Sequence, residues 1–189
     1  MQIGAASNAN DSEEAATFAY HYEVDLNTSF TGDDKLNIEF AAGNAAGDNT
    51  VQGITGFGES QDELKMEDVN YSFPLGRWDV TVGDSLDLSK NFPNACQLET
   101  IVDKMDDCGA KNSVDAGGDV SVSLGTEFAD GWEFGVGFSG DSGTAGIGTN
   151  ESTDGLGAAI GYSNDTYGIT FGYALKDGGA AANSDTTYY

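Results

Sequence analysis

The chain has 189 residues, and its 32 Asp and Glu against 7 Lys and Arg give a formal net charge of −25. A phosphate backbone needs a cationic footprint, so this balance argues against nucleic acid as a partner. With 10 Phe, 8 Tyr and 2 Trp the chain is no solvated acidic tail, and no run of apolar residues reaches the length of a membrane-spanning helix, about 18 residues.

Met1-Gln2-Ile3-Gly4 leads straight into Asn, Asp and Glu, unlike a secretion signal with its basic start and apolar core. Gln2 to Ala6 reads as the tail of an earlier strand. From Thr17 the chain alternates. Phe18, Tyr20, Tyr22, Val24, Leu26 and Phe30 share one face of a long strand, and Ala19, His21, Glu23, Asp25, Asn27 and Ser29 share the other. A second strand carries Leu36, Ile38, Phe40 and Ala42 against Asn37, Glu39 and Ala41. Around Leu64 to Asp68 the phase is irregular, which suggests a bulge or a late strand start. Val69, Tyr71 and Phe73 then form a third strand, and Trp78, Val80 and Val82 a fourth.

After a long acidic segment the alternation resumes. Val120, Val122, Leu124, Thr126 and Phe128 make a fifth strand, and Trp132, Phe134, Val136 and Phe138 a sixth. Leu156, Ala158, Ile160 and Tyr162 make a seventh, then Tyr167, Ile169, Phe171 and Tyr173 an eighth. Thr186 to Tyr189 reads as the start of another. The apolar faces hold no charged residue, whereas the opposite faces carry Glu23, Asp25, Glu39, Asp79, Glu127 and Glu133.

Connections alternate too. Short turns follow the odd strands: Thr31 to Asp34, Pro74 to Arg77, Ala129 to Gly131 and Ser163 to Thr166, all rich in tight-turn residues. Long Gly- and Asp-rich segments follow the even strands: about 43–63, 83–118, 139–155 and from 176 onward. Phe30, Phe73, Trp78, Phe128, Trp132, Tyr162 and Tyr167 border the short turns, while Phe18, Tyr20, Phe138 and Tyr173 lie toward the other end. Two aromatic belts flanking an aliphatic band match the headgroup levels of a bilayer. The expected fold is therefore all-β, an antiparallel up-and-down transmembrane β-barrel. A soluble two-sheet sandwich with the apolar face as its core is the competing expectation.

If the apolar face meets lipid, the polar face lines a lumen. His21, Glu23, Asp25, Glu39, Asp79, Glu127 and Glu133 are the pore-lining candidates. Carboxylates crowded into a narrow interior would each cost several kcal/mol, whereas in a water-filled lumen they stay hydrated. About eight strands close only into a side-chain-filled barrel, so the expectation is that residues 1–189 are one partial barrel domain, about half of a roughly 16-stranded pore. Both lateral edges would otherwise be unpaired, a hazard in water and untenable in lipid.

The segment from Asp84 to Gly117 is the candidate constriction loop, with Asp84, Asp87, Asp103, Asp106 and Asp107 disposed to favour cations if it folds into the lumen. An exposed acidic loop on the outer surface is the alternative. Cys96 and Cys108 lie in the same loop. A disulfide there fits an oxidising exterior and adds roughly 3 kcal/mol in the chain-entropy model; a metal pair is the alternative, with no third soft ligand nearby.

Gly135-Val136-Gly137-Phe138-Ser139-Gly140 matches a dinucleotide-binding pattern but lies in a strand with no helix following, so it is set aside. The inward glycines Gly135, Gly137, Gly157, Gly161, Gly168 and Gly172 suit a smooth wall or an inserted loop. His21, the only histidine, has no placed nucleophile beside it. No catalytic constellation, cofactor or metal site is expected, and the chain does not read as an enzyme.

Tyr22-Glu23-Val24-Asp25-Leu26-Asn27-Thr28-Ser29-Phe30-Thr31-Gly32-Asp33-Asp34, continuing through Leu36 to Ala42-Gly43-Asn44, resembles the outer-membrane porins of cyanobacteria. Tyr71-Ser72-Phe73-Pro74-Leu75-Gly76 with Val80-Thr81-Val82-Gly83 is similar to the matching hairpin of that family. The motifs cover about residues 18–83; beyond them only strand rhythm and Gly-rich texture are similar. The family is related to carbohydrate-selective porins, and its members are often labelled iron-uptake porins. The resemblance implies an outer-membrane homotrimer through which small hydrophilic solutes and inorganic ions, iron or sugars among them, diffuse passively. The S-layer homology domain and coiled coil usual in the family are not in this sequence. A non-conducting structural barrel and a soluble acidic β-sandwich binding module are the alternative functions.

Overall fold

Strict alternation over four to eleven residues favours extended chain, and strands form wherever the sequence alternates. The computed structural model describes residues 2–5, 16–43, 63–95, 114, 119–141, 153–178 and 185–188. Its strands are β1 (Gln2–Ala5), β2 (Ala16–Ala19), β3 (His21–Thr28), β4 (Lys35–Gly43), β5 (Lys65–Leu75) and β6 (Trp78–Asp84). They continue as β7 (Val120–Ala129), β8 (Trp132–Gly140), β9 (Thr153–Ser163), β10 (Gly168–Gly178) and β11 (Asp185–Tyr188).

From β3 to β11 each strand neighbours the next in the chain, giving an all-β antiparallel up-and-down sheet. Among the described residues this sheet is open, with β3 and β11 at its edges. The described residues fall into two compact units. One holds residues 2–5, 16–26, 38–43 and 63–67, including the β1–β2 pair that runs from Gln2 opposite Ala19 to Ala5 opposite Ala16. The other holds residues 27–37, 68–95 and the described residues from 114 onward.

Three details differ from the alternation pattern. The long first strand breaks at Tyr20, so Phe18 belongs to β2 and pairs with Ile3 rather than extending β3. β5 begins at Lys65, before the alternation of Val69 to Phe73 would start it. β7 carries an irregularity between Glu127 and Ala129: Glu127 faces Glu133 and Ala129 faces Trp132, which leaves Phe128 unopposed. An extra residue in one strand is a β-bulge, and bulges sharpen the local twist next to a turn.

The short turns are tighter than the sequence suggests. Pro74 and Leu75 remain in β5, opposite Asp79 and Trp78, so Gly76–Arg77 is a two-residue loop. Gly76 has φ 68° and Gly131 φ 70°, left-handed conformations that cost a side-chain-bearing residue energy and glycine little. In the turn before β10, Asn164 Oδ1 accepts from the amides of Thr166 (2.8 Å) and Tyr167 (3.0 Å). That is the local side-chain bonding for which Asn is favoured in turns.

Burial is inverted relative to a water-soluble sheet. Phe171 is 60%, Ile169 46%, Leu156 45% and Trp132 42% exposed, whereas Ser121 and Ser123 are fully buried. Among the described residues the apolar rows thus do not meet across two stacked layers. At the short-turn end the rings meet in sequence, with Tyr162 half-buried among exposed neighbours: Phe128–Trp132 at 6.3 Å, Trp132–Tyr162 at 5.1 Å and Tyr162–Tyr167 at 5.9 Å between centroids. Tyr71 stacks on Phe73 at 5.5 Å and meets Phe30 at 6.2 Å. The rings from Phe128 to Tyr167 form a continuous row from β7 to the residue before β10. At the other end Phe138 and Tyr173 lie on the sheet, and the side chain of Phe18 is outside the described residues.

Candidate functional site

The main buried cluster sits on the face that the sequence marks as polar, although Val80 of the apolar row is also buried. Leu88, Phe92 and Val114 cluster there with Ala159 and Ala174, and Leu86 is 2% exposed. These large side chains come from the long acidic segment after β6, which enters through Ser85 (φ 57°), whose amide donates to the Asp119 carbonyl at 2.8 Å. Two successive turns follow: the Lys90 amide donates to the Asp87 carbonyl (3.0 Å) and that of Phe92 to Ser89 (2.9 Å). Burying each large apolar side chain contributes about 1.5–3 kcal/mol.

Glycines make room for this segment. A Cβ on Gly125 would strike the Asn91 carbonyl, and one on Gly137 the Leu88 carbonyl. One on Gly135 would lie 2.6 Å from Phe92 Cδ1, on Gly157 2.5 Å from Leu88 Cδ1, and on Gly161 2.6 Å from Pro93 Cβ. Residues 88–93 therefore cross β7, β8 and β9 in near-backbone contact. Strand glycines of this kind mark the close approach of another backbone.

Asn91 fixes the crossing. Its Nδ2 lies 3.1 Å from the Asp79 carbonyl, 3.0 Å from Thr81 Oγ1 and 3.0 Å from the Ser123 carbonyl, and its amide donates to Ser123 Oγ at 3.0 Å. Thr81 Oγ1 also pairs with Ser72 Oγ at 2.9 Å. Farther along this face the amide of Asn70 donates to Asn37 Oδ1 (3.2 Å), and that of Asn37 to Asn27 Oδ1 (3.0 Å). Most serine, threonine and asparagine side chains here bond one another and the loop, whereas the buried hydroxyls of Ser89 and Ser121 have no hydrogen-bond partner among the described residues.

Among the described residues, two hollows flank the segment toward the short-turn end. One, of about 340 Å³, is lined by Asp79, Asn91, Phe92, Gly125, Glu127 and Glu133 among others. The second, of about 390 Å³, lies between Pro93–Ala95 and the ends of β8 to β10; Glu133, Asp165 and Thr170 line it as well. Glu127 and Glu133 stand directly opposite each other on β7 and β8. Like charges so placed repel, and water or cations must screen them. The nearby cation is Arg77, held by Thr126 Oγ1 (3.3 Å) and the Glu127 carbonyl (3.1 Å).

Of the expected pore-lining residues, Asp79, Glu127 and Glu133 come together at the first hollow. Glu23, Asp25 and Glu39 belong to the other unit, on β3 and β4; His21 opens β3, and its side chain is outside the described residues. Asp84 and Asp87 are exposed and line neither hollow, while the apolar residues between and after them point inward. Asp103, Asp106, Asp107, Cys96 and Cys108 lie outside the described residues. The Gly135–Gly140 pattern lies wholly within β8.

Sequence reasoning missed Asn91 and the inward set Leu86, Leu88 and Phe92. Their signal was present as three apolar side chains in an acidic segment, two of which, Leu88 and Phe92, meet the alternating Gly137 and Gly135 of β8.

A separate polar knot closes the β3–β4 turn. Asp34 Oδ1 accepts from Ser29 Oγ (2.6 Å), the Phe30 amide (3.0 Å), and the amide and hydroxyl of Thr31 (both 2.8 Å). Its Oδ2 accepts from the Tyr71 hydroxyl at 2.5 Å. The Ser29 bond first, then those from Tyr71 and Thr31, hold this carboxyl far below the usual carboxylate range.

Protein-family models, curated proteins and solved structures give no match to this chain.

Proposed function

We propose that the chain forms part of the wall of a transmembrane β-barrel in an outer membrane. The barrel is a porin through which small hydrophilic solutes and inorganic ions diffuse passively, with cations favoured. The observation that carries this reading is the inverted burial: large apolar residues exposed on one face, small and polar ones covered on the other. In water such a face is a contiguous apolar patch; in lipid it is the stable arrangement, with the ring belt at headgroup level. Among the described residues nothing covers that face as the second layer of a soluble sandwich would, which disfavours that reading.

Lipid also demands that every backbone group be paired. The open edges of β3 and β11 then require further strands, and roughly 16 in all would leave an aqueous channel. The resemblance of residues 18–83 to cyanobacterial porins supports the same reading and adds a homotrimer and iron or sugars as solutes. A non-conducting barrel is favoured by the loop docked on Ser123; the hollows beside that loop favour conduction.

The test has two arms. In planar bilayers the complete gene product gives stepwise conductance and a cation-selective reversal potential in a salt gradient; silence refutes transport. Phe171→Arg, at a 60% exposed position, destabilises the protein in lipid by on the order of 2 kcal/mol. A change within about 0.5 kcal/mol, as at an ordinary wet surface, refutes the membrane-facing assignment.

A further inference from the structure

The two hollows share one charged side chain. Glu133 lines the hollow bounded by Asp79, Asn91 and Glu127 and also the one bounded by Pro93, Asp165 and Thr170. Together they flank residues 91–95 on the side of the short turns, and Glu133 stands where one gives way to the other. Its cross-strand partner is Glu127, and the next strand offers only Gly161 opposite it, without a side chain to screen it. The loop carboxylates Asp84 and Asp87 reach neither hollow.

We propose that Glu133 is the specificity-determining residue of the permeation path, drawing hydrated inorganic cations through the trough that the docked loop leaves open. This rests on the pore reading above. Selectivity is then set on the barrel wall beside the loop, and the acidic residues of the loop itself contribute less. Arg77 keeps its charge, but it is held on the Glu127 side by Thr126 and the Glu127 carbonyl and lines neither hollow, so it weakens the field at Glu127 more than at Glu133.

The complete gene product in planar bilayers tests this through reversal potentials in a potassium chloride gradient. Glu133→Gln is isosteric at an exposed position and keeps the fold. With one unit charge removed at about 5 Å from the ion path in water, cation permeability falls about fourfold and anion permeability rises about as much, so the cation-over-anion ratio falls about 16-fold while channels still open. Glu133→Asp restores most of the ratio, and Asp87→Asn, the same charge change on the loop, shifts it less. An unchanged ratio in conducting Glu133→Gln channels, or an equal shift in Asp87→Asn, overturns the assignment and leaves the pore reading standing. A wild-type protein that never conducts overturns the pore reading itself.

Discussion

Gly137 and Gly168 both lie on the small-residue face of the sheet, yet alanine has opposite consequences at the two. At Gly168 a new Cβ meets Ala95 Cβ at 3.4 Å, an ordinary contact. Gly168→Ala should be neutral or stabilising by about 0.4–1 kcal/mol, since it narrows the unfolded ensemble without native strain. At Gly137 the Cβ falls on the Leu88 carbonyl oxygen, 2.8 Å from its carbon and 3.2 Å from Leu88 Cβ, so loop backbone has to shift. Overpacking of this kind costs about 1–3 kcal/mol, from which the same entropic gain is subtracted. The net loss is roughly 0.5–2 kcal/mol. Undocking the loop instead would forfeit the burial of Leu88 and Phe92, about 3–6 kcal/mol together. Accommodation is the cheaper response, and in Gly137→Ala the loop stays docked under strain. Gly137→Leu exceeds that limit and expels it. Amide hydrogen exchange of residues 85–95 reads this directly: protection falls by roughly 2- to 30-fold in Gly137→Ala and vanishes in Gly137→Leu, while β7 to β9 stay protected. If Gly137→Ala exchanges like Gly168→Ala, the loop does not lie where the argument requires.

Asn91→Ala removes the amide that bonds Asp79, Thr81 and Ser123, at a cost of about 1–3 kcal/mol. Cleavage within residues 85–95 by a nonspecific protease should accelerate, and an unchanged rate would show that apolar packing alone holds the segment. For Asp34 the sign follows from its depressed folded-state value: its contribution is fully present above the ordinary value of 3.8 and is lost as pH falls below it. Denaturant unfolding of wild type and Asp34→Asn should therefore differ at pH 7 and converge toward pH 2. A gap independent of pH would mean that the carboxylate charge plays no part in the turn.

Much of this molecule is written locally. Side chains alternate because a strand has period two, so Val122-Ser123-Leu124 or Phe134-Gly135-Val136 could be assigned to two faces before any pairing was known. The short turns carry the residues that tight turns need, and the order of long and short connections implies a meander. Strand ends were less legible: Pro74 and Leu75 have turn-like neighbours but remain paired to β6, because cross-strand bonding outweighs local preference. The break at Tyr20 is likewise a pairing outcome, as β2 bonds β1.

What alternation cannot state is which face is covered, and by what. The polar, glycine-rich rows are compatible with a smooth wet wall or with an inserted segment, and only tertiary contact distinguishes the two. Leu88, Phe92 and Asn91 acquire their roles because they land on Gly137, Gly135 and Ser123, residues far away in the chain. The meeting of Asp79, Glu127 and Glu133 around one hollow has the same origin. Periodicity records the direction of each side chain, since that is a property of a single strand; the partner that arrives there depends on how distant segments come together in space.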